Sequence, residues 1–213
     1  MTIFCTTPKK ITSDILALSR KINSDSQPQF IPFEECNLYL PSECFHNVDT
    51  HVESFGGRSV IGWQVWEWPG VFVEAEFHAA WETPEGNLVD ITPKADQEKE
   101  TLFIPDSSRK YEGAMVANIK HPIAKGEIVR DYIKLLDLGF ILANKQVRAN
   151  PVAQYYGSKL LSALETTKKM LHEGRTVKSR CVCGERSTYA ECHRYEIKDT
   201  IEELTRVTAK LSE

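Results

Sequence analysis

The chain has 213 residues, of which 41% are hydrophobic and 26% are charged, a composition typical of a soluble globular protein. Its net charge of −4 argues against nucleic-acid binding through a broad basic surface, and no apolar run is long enough to cross a bilayer. The first ten residues contain no apolar signal-peptide stretch, and six cysteines are too few for a disulfide scaffold. We therefore expect a cytoplasmic protein with one substantial domain and an appendage.

The first part of the chain is predicted to be helical with an intervening loop. Residues 13–23 have the pattern of a short amphipathic helix, and the prolines in 27–32 predict a loop. A second helix is predicted to begin within Pro41–Cys44, because proline and acidic residues favour a first helical turn. Apolar residues then recur at helical spacing until Gly56 ends the run.

After Gly56 the sequence pattern changes to one typical of β-strands. Segments rich in β-branched and aromatic residues alternate with Pro-Gly and Gly-Asn turn signals. The predicted strands cover 60–68, 71–81, 88–92 and 101–104. A helix followed by an antiparallel meander predicts an α+β fold rather than alternating βαβ units.

The remainder of the chain is predicted to be mostly helical. Apolar periodicity indicates helices over 127–142, 152–172 and 197–211. We expect three segments, namely an α+β domain over 1–112, a helical segment over 113–175, and a zinc hook with a C-terminal helix over 176–213.

Three residues of the first segment carry the components of nucleophilic catalysis. Cys44 falls in the first turn of a predicted helix, where the helix dipole favours a thiolate. His78 and Asp90 lie on neighbouring predicted strands across a tight hairpin. A thiol, an imidazole that takes its proton, and a carboxylate that orients the imidazole predict attack on a carbonyl group.

The order of these residues resembles the core of transglutaminase-like members of the papain-like superfamily, over residues 30–95. The resemblance lies in a cysteine on a helix, then Phe77-His78-Ala79-Ala80-Trp81, then Leu88-Val89-Asp90-Ile91-Thr92-Pro93. It implies that Cys44 is the nucleophile, His78 the general base and acid, and Asp90 the orienting group. The Cys44 N–H would supply part of an oxyanion hole, with either Asn37 or Tyr39 as a second donor. The chain lacks the Cys-Gly-Ser-Cys-Trp surroundings of papain itself.

A second group of chemically distinctive residues lies near the C-terminus. Cys181 and Cys183 are one residue apart, and Cys192 and His193 follow as an adjacent pair after eight residues. Three thiolates and an imidazole form a Cys₃His set suited to tetrahedral zinc with all four positions filled by protein. A closed site leaves no position for a substrate, so we expect a structural or docking zinc ion rather than a catalytic one.

The spacing over 181–193 resembles the SEC-C motif, a small zinc hook best known from the C-terminal tail of the preprotein translocase ATPase. The coordinating residues match the motif. In that family the Cys-x-Cys-Gly is usually followed by a small residue and lysines, whereas this chain has Glu185, Arg186 and Ser187. The basic strip that would help docking on an acidic partner is mostly absent here.

Together these features predict a cysteine-dependent amide hydrolase, deamidase or acyl-transferase that carries a structural zinc module. Its substrate would be a protein or peptide. The alternative is a non-catalytic adaptor, in which a transglutaminase-like scaffold serves for binding and the zinc hook recruits a protein partner.

Overall fold

The computed structural model describes residues 5–22, 27–36, 38–94, 98–143 and 151–211. Within these ranges the chain forms five helices and a six-stranded antiparallel sheet, which is a mixed α+β architecture. The helices are α1 (Ser13–Ile22), α2 (Cys44–Phe55), α3 (Glu127–Ala143), α4 (Pro151–His172) and α5 (His193–Leu211). The strands are β1 (Gln29–Pro32), β2 (Arg58–Trp68), β3 (Phe72–Glu82), β4 (Leu88–Val89), β5 (Glu100–Pro105) and β6 (Ile119–Pro122).

The chain divides into two compact units, residues 1–123 and residues 124–213. The first unit contains α1, α2 and the whole sheet, and the second contains α3, α4, α5 and the cysteine-rich loop. The three-segment division drawn from the sequence stays a prediction. None of the helices in the described ranges has the length and apolar character that crossing a membrane would need.

The sheet has the strand order β1-β5-β2-β3-β4, and β6 also pairs with β3. β2 and β3 form a long hairpin that pairs from Arg58↔Glu82 to Trp68↔Phe72. The predicted meander is wrong for β5, because this strand lies between β1 and β2 rather than next to β4. Strand order depends on which edges can bury their apolar faces together, and sequence periodicity does not contain that information.

The structure also adds elements that sequence periodicity missed. β1 occupies part of the predicted 27–32 loop, and β6 occupies a segment for which no strand was predicted. Each has four residues, which is too short for periodicity to separate from a loop. The last helix begins at His193 instead of near 197, so a predicted zinc ligand is its first residue.

The core of the first unit lies between the sheet and the two helices. Ile15 and Leu18 of α1 are fully buried against apolar side chains of β2, β3 and β5. Val48 of α2 is fully buried in a neighbouring cluster with Ala79 and Ile91. The apolar face of α2 is thereby fixed against the part of the sheet that carries His78 and Asp90.

One edge of β3 changes partner along its length. β6 pairs with Phe72–Ala75, and β4 pairs with Trp81 and Glu82. In the described parts of the chain, no strand pairs with residues 76–80 on that side. His78 lies in this interruption of the sheet, where a side chain from outside the sheet can approach it.

In the second unit, α3, α4 and α5 pack around their own core. Arg194 donates to Glu127 at 2.7 Å, and Lys198 donates to Asp131 at 2.7 Å, so α5 is tied to α3 by two charged contacts. The buried members of the core come from all three helices and from the cysteine-rich loop: Ile128, Leu135, Leu138, Leu142, Leu160, Ala163, Met170, Cys181, Tyr189, Ile197 and Leu204.

Candidate active site and metal centre

Cys44 is the first residue of α2, and the chain enters this helix through a strained turn. Ser42 has a φ of 65°, and it is the non-glycine residue with positive φ among those described. Such a conformation is costly for a side chain with a Cβ and often accompanies functional sites. The N-cap residue Glu43 makes no side-chain hydrogen bond to the helix, so the first-turn N–H groups have no side-chain cap there. Cys44 is therefore the first residue of a helix whose N-terminus has no side-chain cap from Glu43.

The segment before α2 is held by one side chain of the helix. Asn47, which is 1% exposed, donates its amide to the Leu40 carbonyl at 2.8 Å and accepts from the Leu40 N–H at 3.3 Å. These two part-buried hydrogen bonds join the α2 side chain to the backbone of the preceding turn and hold the turn that leads into Cys44.

The structure brings Cys44, His78 and Asp90 together. His78 Nε2 lies 3.1 Å from Asp90 Oδ1, and the Cys44 thiol is close enough to the same imidazole to raise its pKa. Since Nε2 faces the carboxylate, Nδ1 is the ring nitrogen left for the thiol. The three side chains are 7%, 6% and 0% exposed in chain order. The order thiol, imidazole, carboxylate is the arrangement needed for an activated nucleophile.

The charges of the site support one another. Burial lowers the pKa of His78, but the Asp90 carboxylate and hydrogen bonds with Asp90 and Cys44 outweigh it and raise that pKa to about 10. Burial raises the pKa of Asp90, but the charge of His78, the hydrogen bond from His78, and Lys94 and Thr101 hold it far below its usual range. At neutral pH the site therefore contains a carboxylate and an imidazolium, the partner that a cysteine thiolate requires.

The position of Asp90 is set by three strands. Its N–H donates to the Pro32 carbonyl at 2.9 Å, and its carbonyl accepts from the Glu34 N–H at 2.9 Å. On the other side of the chain, β4 pairs with β3 at Trp81↔Val89, one residue before Asp90. β1, which the sequence did not predict, thus holds the backbone of the proposed orienting residue.

Two further partners of Asp90 were not recognised in the sequence. Thr101 Oγ1 donates to Asp90 Oδ2 at 2.6 Å, and Lys94 Nζ lies 3.5 Å from the same oxygen. The four-residue spacing of Asp90 and Lys94 was a weak sequence signal. Thr101 could not be found from the sequence, because it reaches Asp90 only through the placement of β5.

A glycine makes room for an aromatic ring next to His78. A Cβ on Gly62, the cross-strand partner of His78, would come within 3 Å of both the Phe103 ring and the Ile104 carbonyl. The Phe103 ring instead lies edge-on to His78, with ring centroids 6.4 Å apart. This ring, which is fully buried, excludes water from one side of the imidazole.

The sequence leaves two candidates for the second hydrogen-bond donor to the oxyanion. Tyr39, one of the two candidates, has its hydroxyl oxygen 2.7 Å from His51 Nδ1, so the hydroxyl is already engaged. Asn37, the other candidate, lies outside the described residues.

The four predicted zinc ligands also come together. One ligand atom from each of Cys181, Cys183, Cys192 and His193 lies within 4.8 Å of the other three. His193 Nδ1 is 3.2 Å from the Cys181 sulfur and 3.1 Å from the Cys192 sulfur, and the Cys183 and Cys192 sulfurs are 3.6 Å apart. Zinc–sulfur bonds of about 2.3 Å in a tetrahedron put sulfurs about 3.8 Å apart, and sulfur and nitrogen about 3.5 Å apart. The cluster has the size of a tetrahedral metal site.

Local structure explains how the loop folds around this centre. Arg180 and Thr188 form an isolated antiparallel bridge, so the segment between them turns back on itself, with Gly184 at a φ of 97°. Thr188 donates its N–H and hydroxyl to the Glu191 side chain, at 3.1 and 2.7 Å, and these hydrogen bonds close the turn before α5. His193 then begins the helix.

The electrostatics of the cluster favour a bound cation. Burial and hydrogen bonds with the Cys183 and Cys181 thiols raise the pKa of Cys192 to about 11. Three adjacent thiolates repel one another unless a metal neutralises them. His193 Nε2, on the far side of the ring from the sulfurs, lies 4.0 Å from Glu196, the kind of carboxylate that often orients a ligating imidazole.

Comparison of the chain with protein-family models, curated proteins and solved structures found no match in any of the three.

Proposed function

We propose that the protein is a cysteine-dependent enzyme that attacks an amide carbonyl through Cys44, His78 and Asp90. The observation that carries the proposal is a buried thiol and a buried carboxylate on the same imidazole, with the thiol at the start of a helix. A transglutaminase-like, papain-like fold is part of this proposal. It is supported by the helix-then-sheet order and by the sequence motifs around His78 and Asp90.

The chemistry follows from the roles of the three groups. The Cys44 thiolate forms a bond to the substrate carbonyl carbon, and the Cys44 N–H donates to the oxygen as it gains charge. The His78 imidazolium gives its proton to the departing nitrogen, which leaves as an amine or as ammonia. The acyl-enzyme is then resolved by water, giving hydrolysis or deamidation, or by a second amine, giving acyl transfer. Asp90 stays an anion throughout and holds the His78 ring.

We further propose zinc as the metal of the Cys₃His centre, with a structural role or a role in docking a protein partner. Three cysteines and one histidine prefer zinc over magnesium or calcium, which require oxygen ligands. All four ligands come from the protein, so the centre has no open position for catalysis. The thiol chemistry and the zinc thiolates both fit a reducing compartment such as the cytoplasm, and the proposed substrate is a protein or peptide.

Alkylation by iodoacetamide at about pH 6 tests the catalytic proposal. At this pH an ordinary thiol with a pKa near 8.5 is about 0.3% ionised, so a thiolate held by His78 should react on the order of 100-fold faster. Cys44 is buried, whereas Cys5 and Cys36 are only partly buried. Faster labelling of the most buried of the three thiols cannot arise from accessibility.

The controls for this experiment are His78→Gln and Asp90→Asn, with labelling read at each cysteine by peptide mass spectrometry. We expect the advantage of Cys44 to disappear in His78→Gln and to decrease in Asp90→Asn. Equal, slow labelling of all three cysteines in the unchanged protein would contradict catalysis, and would favour a binding module with the same scaffold.

A further inference from the structure

Asp90 uses its two carboxylate oxygens for two different tasks. Oδ1 accepts from His78 Nε2 and from the Thr92 N–H, each at 3.1 Å. Oδ2 accepts from Thr101 and faces the Lys94 ammonium. One oxygen therefore serves the imidazole, and the other is held from behind by groups that do not touch His78.

Lys94 is unusual because its charged end is buried. The side chain is 6% exposed, although lysine is rarely buried without a partner. Its ammonium donates to Thr101 Oγ1 and to the Glu100 carbonyl, and it lies 5.3 Å from the centroid of the Phe33 ring. Two separate segments, 33 and 100–101, thus enclose the Lys94 cation directly behind Asp90.

The direction of the hydrogen bonds in this group is fixed by chemistry. An ammonium can only donate, so Thr101 Oγ1 accepts from Lys94. The hydroxyl has one proton, and that proton goes to Asp90 Oδ2. Asp90 Oδ2 is consequently an acceptor and carries no proton, which leaves Oδ1 free to accept from His78. Reversing any one of these hydrogen bonds would leave a donor facing a donor.

We propose that Lys94, acting through Thr101, is a positioning residue that keeps Asp90 an anion with Oδ1 directed at His78. The inference rests on the proposed function, because it assigns a role within the same Cys44–His78–Asp90 site. Neither Lys94 nor Thr101 touches the thiol in this assignment. Both act on the imidazole only through the carboxylate.

Removing either group should change how the site responds to acid. Burial alone raises the pKa of Asp90, and Lys94 and Thr101 are among the groups that lower it. Without one of them Asp90 takes up a proton at a higher pH, and the imidazolium loses the anion that orients it. Loss of a single nearby charge commonly moves a buried carboxyl by about one pH unit or more.

The test measures the rate of Cys44 alkylation by iodoacetamide from acid to neutral pH in the full chain. The variants are Thr101→Val, which replaces the hydroxyl by a methyl group of similar size, and Lys94→Met. The matched controls are Thr101→Ser, which keeps the hydroxyl, and Lys99→Met, which removes an exposed positive charge nearby. A third series repeats Thr101→Val in an Asp90→Asn background.

We expect the acid midpoint of the rate to move up by about one pH unit in Thr101→Val and in Lys94→Met. Both controls should keep the midpoint of the unchanged protein, and Thr101→Val should cause no further loss once Asp90→Asn is present. A purely structural role would lower the folded fraction without moving the midpoint. If Lys94→Met does not fold, the acid midpoint of Thr101→Val alone tests the proposal.

Two negative results can be told apart. If Cys44 of the unchanged protein shows no advantage over Cys36, the proposed function fails and this inference fails with it. If Cys44 is highly reactive but the profiles of Thr101→Val and Lys94→Met coincide with that of the unchanged protein, the inference alone is overturned.

Discussion

Removing the metal from the Cys₃His centre should unfold the second unit, residues 124–213. Cys181 is 2% exposed and belongs to the same buried cluster as Tyr189, Met170 and Ile197. Two of the four proposed ligands, Cys181 and Cys192, therefore contribute to the core that joins α4 and α5. Loss of a bound metal would leave the buried Cys181 thiol and the partly buried Cys192 thiol with no cation, where α4 and α5 pack.

The magnitude follows from linkage. A metal held at a free concentration of about 1,000 times its dissociation constant stabilises the folded state by about 4 kcal/mol. In a domain of about 60 to 100 residues, 1 kcal/mol shifts the unfolding temperature by about 4–8 °C, so chelation should lower it by roughly 15–30 °C. This loss is close to the lower end of the stability of a small domain, which is about 5–15 kcal/mol.

The assay can separate the two units without dividing the chain. All four tryptophans lie in β2 and β3, so their fluorescence reports the first unit. Helical circular dichroism reports mainly α3, α4 and α5, which are the longest helices described. We expect chelation, or Cys181→Ser, to lower the unfolding temperature seen by circular dichroism, and Cys36→Ser to retain one metal ion per chain.

Cobalt substitution tests the geometry of the same centre. A tetrahedral Cys₃His site should give thiolate charge-transfer bands and intense visible bands when cobalt replaces zinc. The reasoning would be refuted if the purified chain binds no zinc at micromolar free metal, or if metal binding leaves the circular dichroism transition unchanged.

Two further predictions concern the first unit. Trp63→Phe removes the indole N–H that donates to fully buried Asp106 at 2.9 Å, and it should lower the free energy of unfolding, measured in urea, by about 1–3 kcal/mol. Trp66→Phe removes a hydrogen bond at the surface, and it should lower that free energy by less than about 1 kcal/mol. Equal losses in the two variants would contradict the role of burial. Because the pKa of His78 is raised from 6.5 to about 10, the folded state holds this proton more tightly, and the stabilisation is complete below pH 6.5 and is lost as the pH rises through about 10. Because the pKa of Asp90 is lowered in the folded state, its carboxylate stabilises the fold fully above the ordinary aspartate pKa. This stabilisation is lost as the pH falls below that value towards the pKa of the folded state. The unchanged protein should therefore lose more stability between pH 6.5 and 10 than His78→Gln, measured by tryptophan fluorescence in urea; parallel curves would exclude the coupling.

Several elements could be predicted because their signals are local. The helix over 13–22, the helix that ends before Gly56 and the long β2–β3 hairpin each have a periodic pattern, and glycine or proline bounds the last two. The Cys₃His spacing is also local, since the ligands form two pairs and the two members of each pair lie within three residues of each other. The two four-residue strands have no such signal and were missed.

The sequence by itself determined the α+β class, the candidate residues of both sites and the placement of Cys44 at a helix start, because each depends on residue types a few positions apart. Only the tertiary structure decided that β5 lies beside β2, that β1 holds the backbone of Asp90, and that Lys94 and Thr101 stand behind its carboxylate. These contacts join segments whose meeting depends on how the sheet buries its faces. Residue spacing along the chain does not encode that choice.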